Sequence, residues 1–296
     1  IGQATGMFPM ENDPAFSVAL DRIKKVLDEF EINLSAFVVG KDLEEETNVI
    51  NIKKFIEDGN EIGNHSYSHY QNFGALNYKD IKNEIKKTDE IILTKLNTKS
   101  IGFIAPGWNT SNKVLRVLNE LGYSYDHSLF SSPVLLLGLF KMVINYFKVL
   151  IFKFQKPKTY RLIDVFKRLD YFHMFLGKTK PFRSRDSYYK KSETHDGVMI
   201  YPIPSRFKLS YWFTLEFVLP KKIVDFIFKF IVNNSSFFYI LIHPTDFLDS
   251  EDIKNINGAH SLERMEKDVN LKIARFIERI EYLEKQKFEF KTFSEI

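Results

Sequence analysis

The alternation of apolar and polar positions predicts strands and helices that follow one another along most of the chain. Residues 78–96 place apolar side chains at helical spacing, whereas 34–40 is a short apolar run closed by glycine, as in a buried strand. The predicted strands are 34–40, 61–65, 101–105, 123–129, 197–204, 237–244 and 288–293. The predicted helices are 14–30, 51–59, 78–96, 111–122, 220–233 and 262–287. This order is typical of an α/β fold in which right-handed crossovers join parallel strands.

Residues 133–195 interrupt the alternation and are interpreted as an inserted hydrophobic and basic subdomain within a single domain of residues 1–296. From 133 to 193 there are 14 Lys and Arg but 4 Asp and Glu, a net charge of +10. Because the whole chain carries +4, the remainder carries −6. Basic character confined to one segment argues against a nucleic-acid-binding protein.

Residues 134–154 are apolar around most of a helical circumference, with Lys141, Asn145 and Lys148 forming one narrow polar stripe. This pattern predicts an amphipathic helix that lies on an anionic membrane surface or re-enters it. The alternative is a helical hairpin that buries its apolar faces on the rest of the fold. The first interpretation implies a peripheral membrane protein, which we place at the cytoplasmic face.

The chain contains no cysteine, so disulfides, zinc–thiolate sites and thiol nucleophiles are excluded, and any metal must be held by His, Asp or Glu. His65 and His69 are four residues apart after a predicted strand. In a helical turn this spacing would place both imidazoles on one face, near enough to bind one ion. A solvated pair that caps a helix is the alternative for the pair considered alone.

Other polar and turn residues also occur where predicted strands end, namely Pro106, Gly107 and Trp108, then Asp126, and finally His243. The carboxyl ends of parallel strands meet at one edge, where α/β proteins place their chemistry. Asp126 is expected either to orient a catalytic group or to cap the loop that follows it.

The ordered motifs SAFVVG, EIGNHSYSH, FIAPGWN, YSYDHSL and YILIHPTDF resemble those of the polysaccharide deacetylase family, the NodB-like carbohydrate esterases. The resemblance covers 16–130 and 197–293. It implies a distorted (β/α)7 barrel and one divalent ion bound by His65 and His69, with zinc preferred and cobalt, manganese or nickel as alternatives. It also implies that His243 is the general acid that protonates the leaving amine.

The chain departs from the family pattern at two positions. The family's first strand carries two aspartates, a metal ligand and a catalytic base, but no such strand precedes Phe16, so we expect it upstream of Ile1. Within the chain, Asp13 is the candidate catalytic carboxylate, with the N-cap of the first helix as the alternative. The family's third motif carries arginine where Ile104 stands, and the APGWN form resembles the branch that deformylates undecaprenyl-phosphate aminoarabinose.

The resemblance therefore implies a metal-dependent hydrolase that removes an N-acetyl or N-formyl group from an amino sugar of a glycan or a lipid-linked precursor. Pro106, Gly107, Trp108 and Tyr70 are the candidate substrate-binding residues, since aromatic faces can stack on a sugar ring, although ordinary packing explains Trp108 and Tyr70 equally well. Two other functions stay open, a non-catalytic carbohydrate-binding relative and a membrane-surface structural protein.

Overall fold

The computed structural model describes residues 8, 13–133, 171–194, 196–257, 259 and 261–296. The chain divides into two compact units. The first comprises Ile1–His69, Asn83–Ile104 and Tyr211–Ile296, and the second comprises Tyr70–Lys82 and Ala105–Ser210. The helix predicted at 134–154, with Lys141, Asn145 and Lys148, lies outside the described residues and stays a prediction.

From Leu20 to Asp126 helices and strands alternate as the sequence pattern predicts, whereas from Phe182 to Lys285 the described residues form four strands followed by four helices. The helices are α1 (Leu20–Glu29), α2 (Glu46–Glu57), α3 (Tyr78–Leu96), α4 (Asn112–Glu120), α5 (Tyr171–Leu176), α6 (Leu215–Val218), α7 (Lys221–Val232), α8 (Ser250–Ile253) and α9 (Val269–Lys285). The strands are β1 (Ser35–Val38), β2 (Glu61–Asn64), β3 (Gly102–Phe103), β4 (Tyr125–Asp126), β5 (Phe182–Ser184), β6 (Val198–Ile200), β7 (Ser205–Arg206) and β8 (Leu209–Ser210). The described helices include none that is long and apolar enough to cross a membrane.

The first unit contains three adjacent parallel strands in the order β1, β2, β3. Ser35 pairs with Glu61 across β1 and β2, and Asn64 pairs with Phe103 across β2 and β3. The helices bury one apolar face against these strands, as their spacing predicts. The core includes Ile23, Leu27, Val49, Ile52, Phe55, Ile62, Ile92, Phe213, Phe247, Phe276 and Ile280. The parallel arrangement confirms the predicted α/β class and places the end of β2 at the carboxyl edge.

In the second unit β6 lies between a parallel and an antiparallel neighbour. Tyr125 of β4 pairs in parallel with Met199, and Arg183 of β5 pairs with the same residue in the antiparallel sense. β7 and β8 form a separate antiparallel pair. β5 lies inside the segment interpreted as an insertion, whose boundaries at 133 and 195 stay a prediction.

Two stretches predicted as strands, 237–244 and 288–293, are not strands in the structure. Residues 237–243 are all partly exposed, and Leu241 accepts a hydrogen bond from the backbone N–H of Phe213 at 3.0 Å. A strand needs a hydrogen-bonded neighbour along its length, and none of the described strands lies beside this segment. The apolar pattern of 237–244 therefore does not form a strand in the structure.

The last helix begins later than the periodicity predicts, at Val269 instead of near 262. The carboxylate of Asp268 accepts hydrogen bonds from the backbone N–H groups of Asn270 and Leu271, at 2.8 and 3.1 Å. These bonds satisfy donors that have no partner within the helix, so Asp268 sets its start.

Candidate active site

The two histidines of the predicted pair lie in a tight loop after β2. They are not on one face of a helical turn, as their spacing led us to predict, because 65–69 is not helical. Ser66 and His69 adopt left-handed backbone angles, with φ of 62° and 52°. Such angles cost roughly 1–3 kcal/mol each in residues with a side chain and persist where surrounding contacts impose them. The prediction that the histidines lie close together is still correct, since their ring centroids are 4.8 Å apart.

His65 is buried, and its environment determines which ring nitrogen carries the proton. Its backbone N–H donates to the Val38 carbonyl at 2.9 Å, which extends the β1–β2 pairing by one residue. Its Nδ1 lies 2.7 Å from the Ile104 carbonyl oxygen. Because a carbonyl can only accept, Nδ1 is the protonated nitrogen and Nε2 keeps its lone pair. Histidines that bind metals typically donate their other ring N–H in this way.

Both histidines of the pair are uncharged near neutral pH. Burial lowers the pKa of His65 to about 4, although the hydrogen bond to Ile104 acts in the opposite direction. Burial also lowers the pKa of His69 well below its usual value, and His65 lowers it further. A neutral imidazole has a lone pair to give to a cation, so protons do not compete for these two nitrogens at pH 7.

His243 belongs to the same unit, and its protonated form would lower the pKa of both members of the pair. Its backbone N–H donates to Oδ2 of Asp246 at 2.9 Å, and its Nδ1 lies 3.8 Å from the same oxygen. Burial and the neighbouring Arg264 lower the pKa of His243, whereas Asp246 acts to raise it. The resting ring is therefore neutral, and Asp246 favours its protonated form.

Asp246 is a residue that the sequence analysis missed. Its carboxylate is fully buried and also accepts from Thr214, with Oγ1 at 3.2 Å, while Nη1 of Arg264 lies 3.4 Å from Oδ1. The signal was present in the sequence, because an acid three residues after His243 has the spacing of a capping box.

Asp13 is buried at the start of the first helical segment. Its Oδ1 accepts a hydrogen bond from the backbone N–H of Ala15 at 2.9 Å. This is the capping contact that was the alternative to a catalytic role. The catalytic role of Asp13 stays a prediction.

Two imidazoles supply only part of a metal-ligand set. Throughout the described ranges, no group of three or more His, Asp or Glu side chains could hold a metal ion. The chemistry of His65 and His69 fits two of three protein ligands, namely neutral nitrogens at a fixed separation. The carboxylate ligand expected upstream of Ile1 stays a prediction.

The candidate substrate-binding residues all belong to the second unit. Pro106, Gly107 and Trp108 form a short 3₁₀ turn, in which Gly107 has φ of 57° and is exposed while Pro106 is buried. The Trp108 ring packs edge-on against Phe130 with centroids 5.0 Å apart, so part of its area serves packing. Tyr70 is exposed. Contact of these four residues with a substrate stays a prediction.

Asp126, also in the second unit, caps the loop after β4. Its Oδ1 accepts from the backbone N–H of Ser128 at 3.1 Å, and its Oδ2 accepts from the Tyr188 hydroxyl at 2.7 Å. Burial raises the pKa of Asp126 to about 6, even though these hydrogen bonds act to lower it. The structure thus shows the capping alternative for this residue.

Comparisons with known proteins show which family part of this chain resembles. The polysaccharide deacetylase family model matches residues 12–125. A peptidoglycan deacetylase from Helicobacter pylori is 30% identical over 115 residues, which are 39% of this chain and 38% of that protein. A peptidoglycan-N-acetylglucosamine deacetylase from Bacillus cereus is 33% identical over 90 residues, 29% of this chain and 31% of that protein. The chain therefore matches well under half the length of either curated relative.

One solved structure covers most of the chain. A proposed polysaccharide deacetylase from Mycobacterium smegmatis aligns with 94% of this chain and 81% of its own, at a TM-score of 0.52 and 15% identity. At 15% identity, this alignment is evidence for a shared fold and not for a shared activity. Residues 12–125 thus match the polysaccharide deacetylase family model, and the chain shares its α/β fold with a structure of NodB-like type.

Proposed function

We propose that this protein is a metal-dependent hydrolase that removes an N-acyl group from an amino sugar of a glycan. The observation that carries the proposal is the pair of neutral imidazoles, His65 and His69, with ring centroids 4.8 Å apart at the end of β2. The Ile104 carbonyl already orients one of them to present Nε2. The family match and the names of the two curated relatives support an amino-sugar substrate.

Amide hydrolysis needs an activated water and a proton for the leaving nitrogen. A divalent ion bound by the pair would supply the first requirement, since it lowers the pKa of water from ~15.7 towards ~7 and polarises the acyl carbonyl. His243 would supply the second. Its Nδ1 lies 3.8 Å from Asp246 Oδ2, so we assign the proton transfer to Nε2. The neutral ring would take up the proton that the attacking water loses and pass it to the leaving amine as the C–N bond breaks, while the Asp246 carboxylate would stabilise the imidazolium.

The finer features of the proposal concern the acyl group, the sugar and the ion. Acetyl is the first candidate because one curated relative acts on N-acetylglucosamine by name, and formyl is the alternative that the APGWN motif suggests. The sugar belongs to peptidoglycan, another polysaccharide or a lipid-linked precursor. Zinc is the preferred ion, because imidazole with carboxylate is a common zinc donor set.

A direct assay tests this proposal. The full-length protein, loaded with zinc, cobalt, manganese or nickel in turn, is incubated with N-acetylated and N-formylated amino sugars, both free and in glycan chains. We expect release of acetate or formate that stops after chelation and returns when the metal is restored. A protein that binds the glycans but releases neither acid, with every metal, would instead be the non-catalytic carbohydrate-binding relative.

We further propose that the enzyme acts at an anionic membrane surface, which would place it over a lipid-linked substrate at the cytoplasmic face. The support is the apolar stretch at 134–154 and the net +10 charge around it. Basic residues near anionic headgroups contribute ~1 kcal/mol each. In addition, α5, which comes after 134–154 in the chain, exposes the apolar side chains of Phe172, Phe175 and Leu176.

Vesicle sedimentation measures this association. We expect the protein to pellet with anionic liposomes and to be partly released by high salt, because salt screens the charge contribution. A matched variant in which a short linker replaces 134–156 should stay folded and remain in the supernatant. If the intact protein does not sediment with liposomes and the deletion variant unfolds, the segment is part of the core.

A further inference from the structure

The three residues between the paired histidines all donate their backbone N–H groups to side chains. The N–H of Ser66 donates to Oδ1 of Asn64 at 2.8 Å. The N–H groups of Tyr67 and Ser68 both donate to Oε2 of Glu84, at 3.1 and 2.8 Å. One carboxylate oxygen on α3 therefore holds two consecutive amides of the loop. Hydrogen bonds to a charged acceptor are about twice as strong as those between neutral groups.

The opposite side of the loop is held by backbone. The N–H groups of Gly40 and Lys41 donate to the carbonyls of Ser66 and Tyr67, each at 3.0 Å. The loop is thus fixed from two directions, by the turn after β1 on its carbonyl side and by α3 on its amide side. This explains how the left-handed angle at Ser66 persists, because the surrounding contacts determine it.

Helix α3 also anchors the strand end that precedes the loop. The side-chain amide of Asn64 donates to the Ile85 carbonyl and to Oδ1 of Asp89, each at 2.9 Å. The residue before His65 and the two residues before His69 are therefore tied to the same helix. A 19-residue helix is a rigid support, so its contacts with the loop help to fix the separation of the two rings.

From these contacts we infer that Glu84 is a positioning residue for the histidine pair. By holding the amides of Tyr67 and Ser68, it keeps the His69 ring beside the His65 ring, so that both nitrogens meet one cation. The inference rests on the proposed function only in that the cation is the proposed metal. Glu84 itself touches neither the ion nor the substrate, and its effect passes through the loop.

Zinc affinity, measured on the full-length protein with zinc alone by competition with a chromophoric chelator, tests the inference. Glu84→Ala should weaken zinc binding by about 10–100-fold, the usual effect of removing a residue that orients metal ligands. Glu84→Gln should stay within a few-fold of wild type, since a single oxygen accepts both bonds and the amide oxygen can replace it. Glu90→Ala is the matched control, because Glu90 is exposed on the same helix, and it should bind zinc as wild type does.

Hydrogen exchange of the metal-free protein gives a second readout that does not depend on zinc. In Glu84→Ala the amides of Tyr67 and Ser68 should exchange faster, while the amide of His65, bonded to Val38, should not change. An Ala variant that binds zinc as tightly as wild type would overturn the inference. If wild type itself binds no zinc, the proposed metal function fails, and unchanged protection of the two amides would then overturn the positioning role as well.

Discussion

Replacing both His65 and His69 with alanine is expected to reduce bound metal in the full-length protein from about one ion per chain to background, and to abolish acid release from the substrate. The reason is that the proposed site takes two of its ligands from this pair, and the described residues contain no group of three or more His, Asp or Glu side chains that could hold the ion in its place. Metal content after extensive dialysis, measured by elemental analysis, checks the stoichiometry.

The matched control for this experiment is His173→Ala. His173 is also buried, but it lies in the second unit, where its ring packs near Tyr188 and Tyr189. The control reports what the loss of a buried imidazole does to folding, and it should retain the ion. Unchanged metal stoichiometry in the double variant would show that the pair is structural.

His243→Asn is expected to lower turnover by ~10²–10⁴, the range typical of a positioned acid, with metal content intact. The substitution removes the ring that takes up and delivers the proton, while asparagine preserves the backbone N–H that donates to Asp246. Steady-state kinetics on an N-acyl amino sugar measures the loss. For a substrate whose leaving group needs no proton, the substitution should lower turnover much less, because it impairs only protonation of the leaving amine.

Two outcomes would contradict this role. A His243→Asn protein that loses its ion, yet works normally once metal is restored, would make His243 a ligand or a packing residue. An equal loss of rate for every leaving group would indicate general damage to the site. In either case the link between Asp246 and His243 would have to be explained as capping alone.

The spacing of apolar residues predicts the helices of this fold well, because a helix that packs on a core repeats its buried positions along its own sequence. The helix predicted at 78–96 is Tyr78–Leu96 in the structure, and that predicted at 220–233 is Lys221–Val232. The segments 237–244 and 288–293 have equally apolar patterns but no ladder. Whether such a run becomes a strand depends on a neighbour, which no local pattern contains.

The candidate site likewise combines features that the sequence predicts with features that only the structure shows. Histidine spacing, the absence of cysteine and the order of the motifs single out His65 and His69 as candidate metal ligands and His243 as a candidate acid. This is possible because residue type determines which atoms can bind metal or carry protons. The geometry that spacing suggested for the pair, one face of a helix, was wrong. Asp246 could have been found from its capping-box spacing, whereas Glu84 has no local signal, since on α3 it is one acid among several.

What the sequence determined by itself is therefore the class of fold and the kinds of chemistry available. Only the tertiary structure decided which nitrogen of His65 is free, since that depends on the carbonyl of Ile104, 39 residues away. It also decided that the loop before His69 is held by Glu84, 16 residues beyond Ser68. The physical reason is that tautomers, pKa values and strained backbone angles are set by neighbours in space, and the chain brings those neighbours together only when it folds.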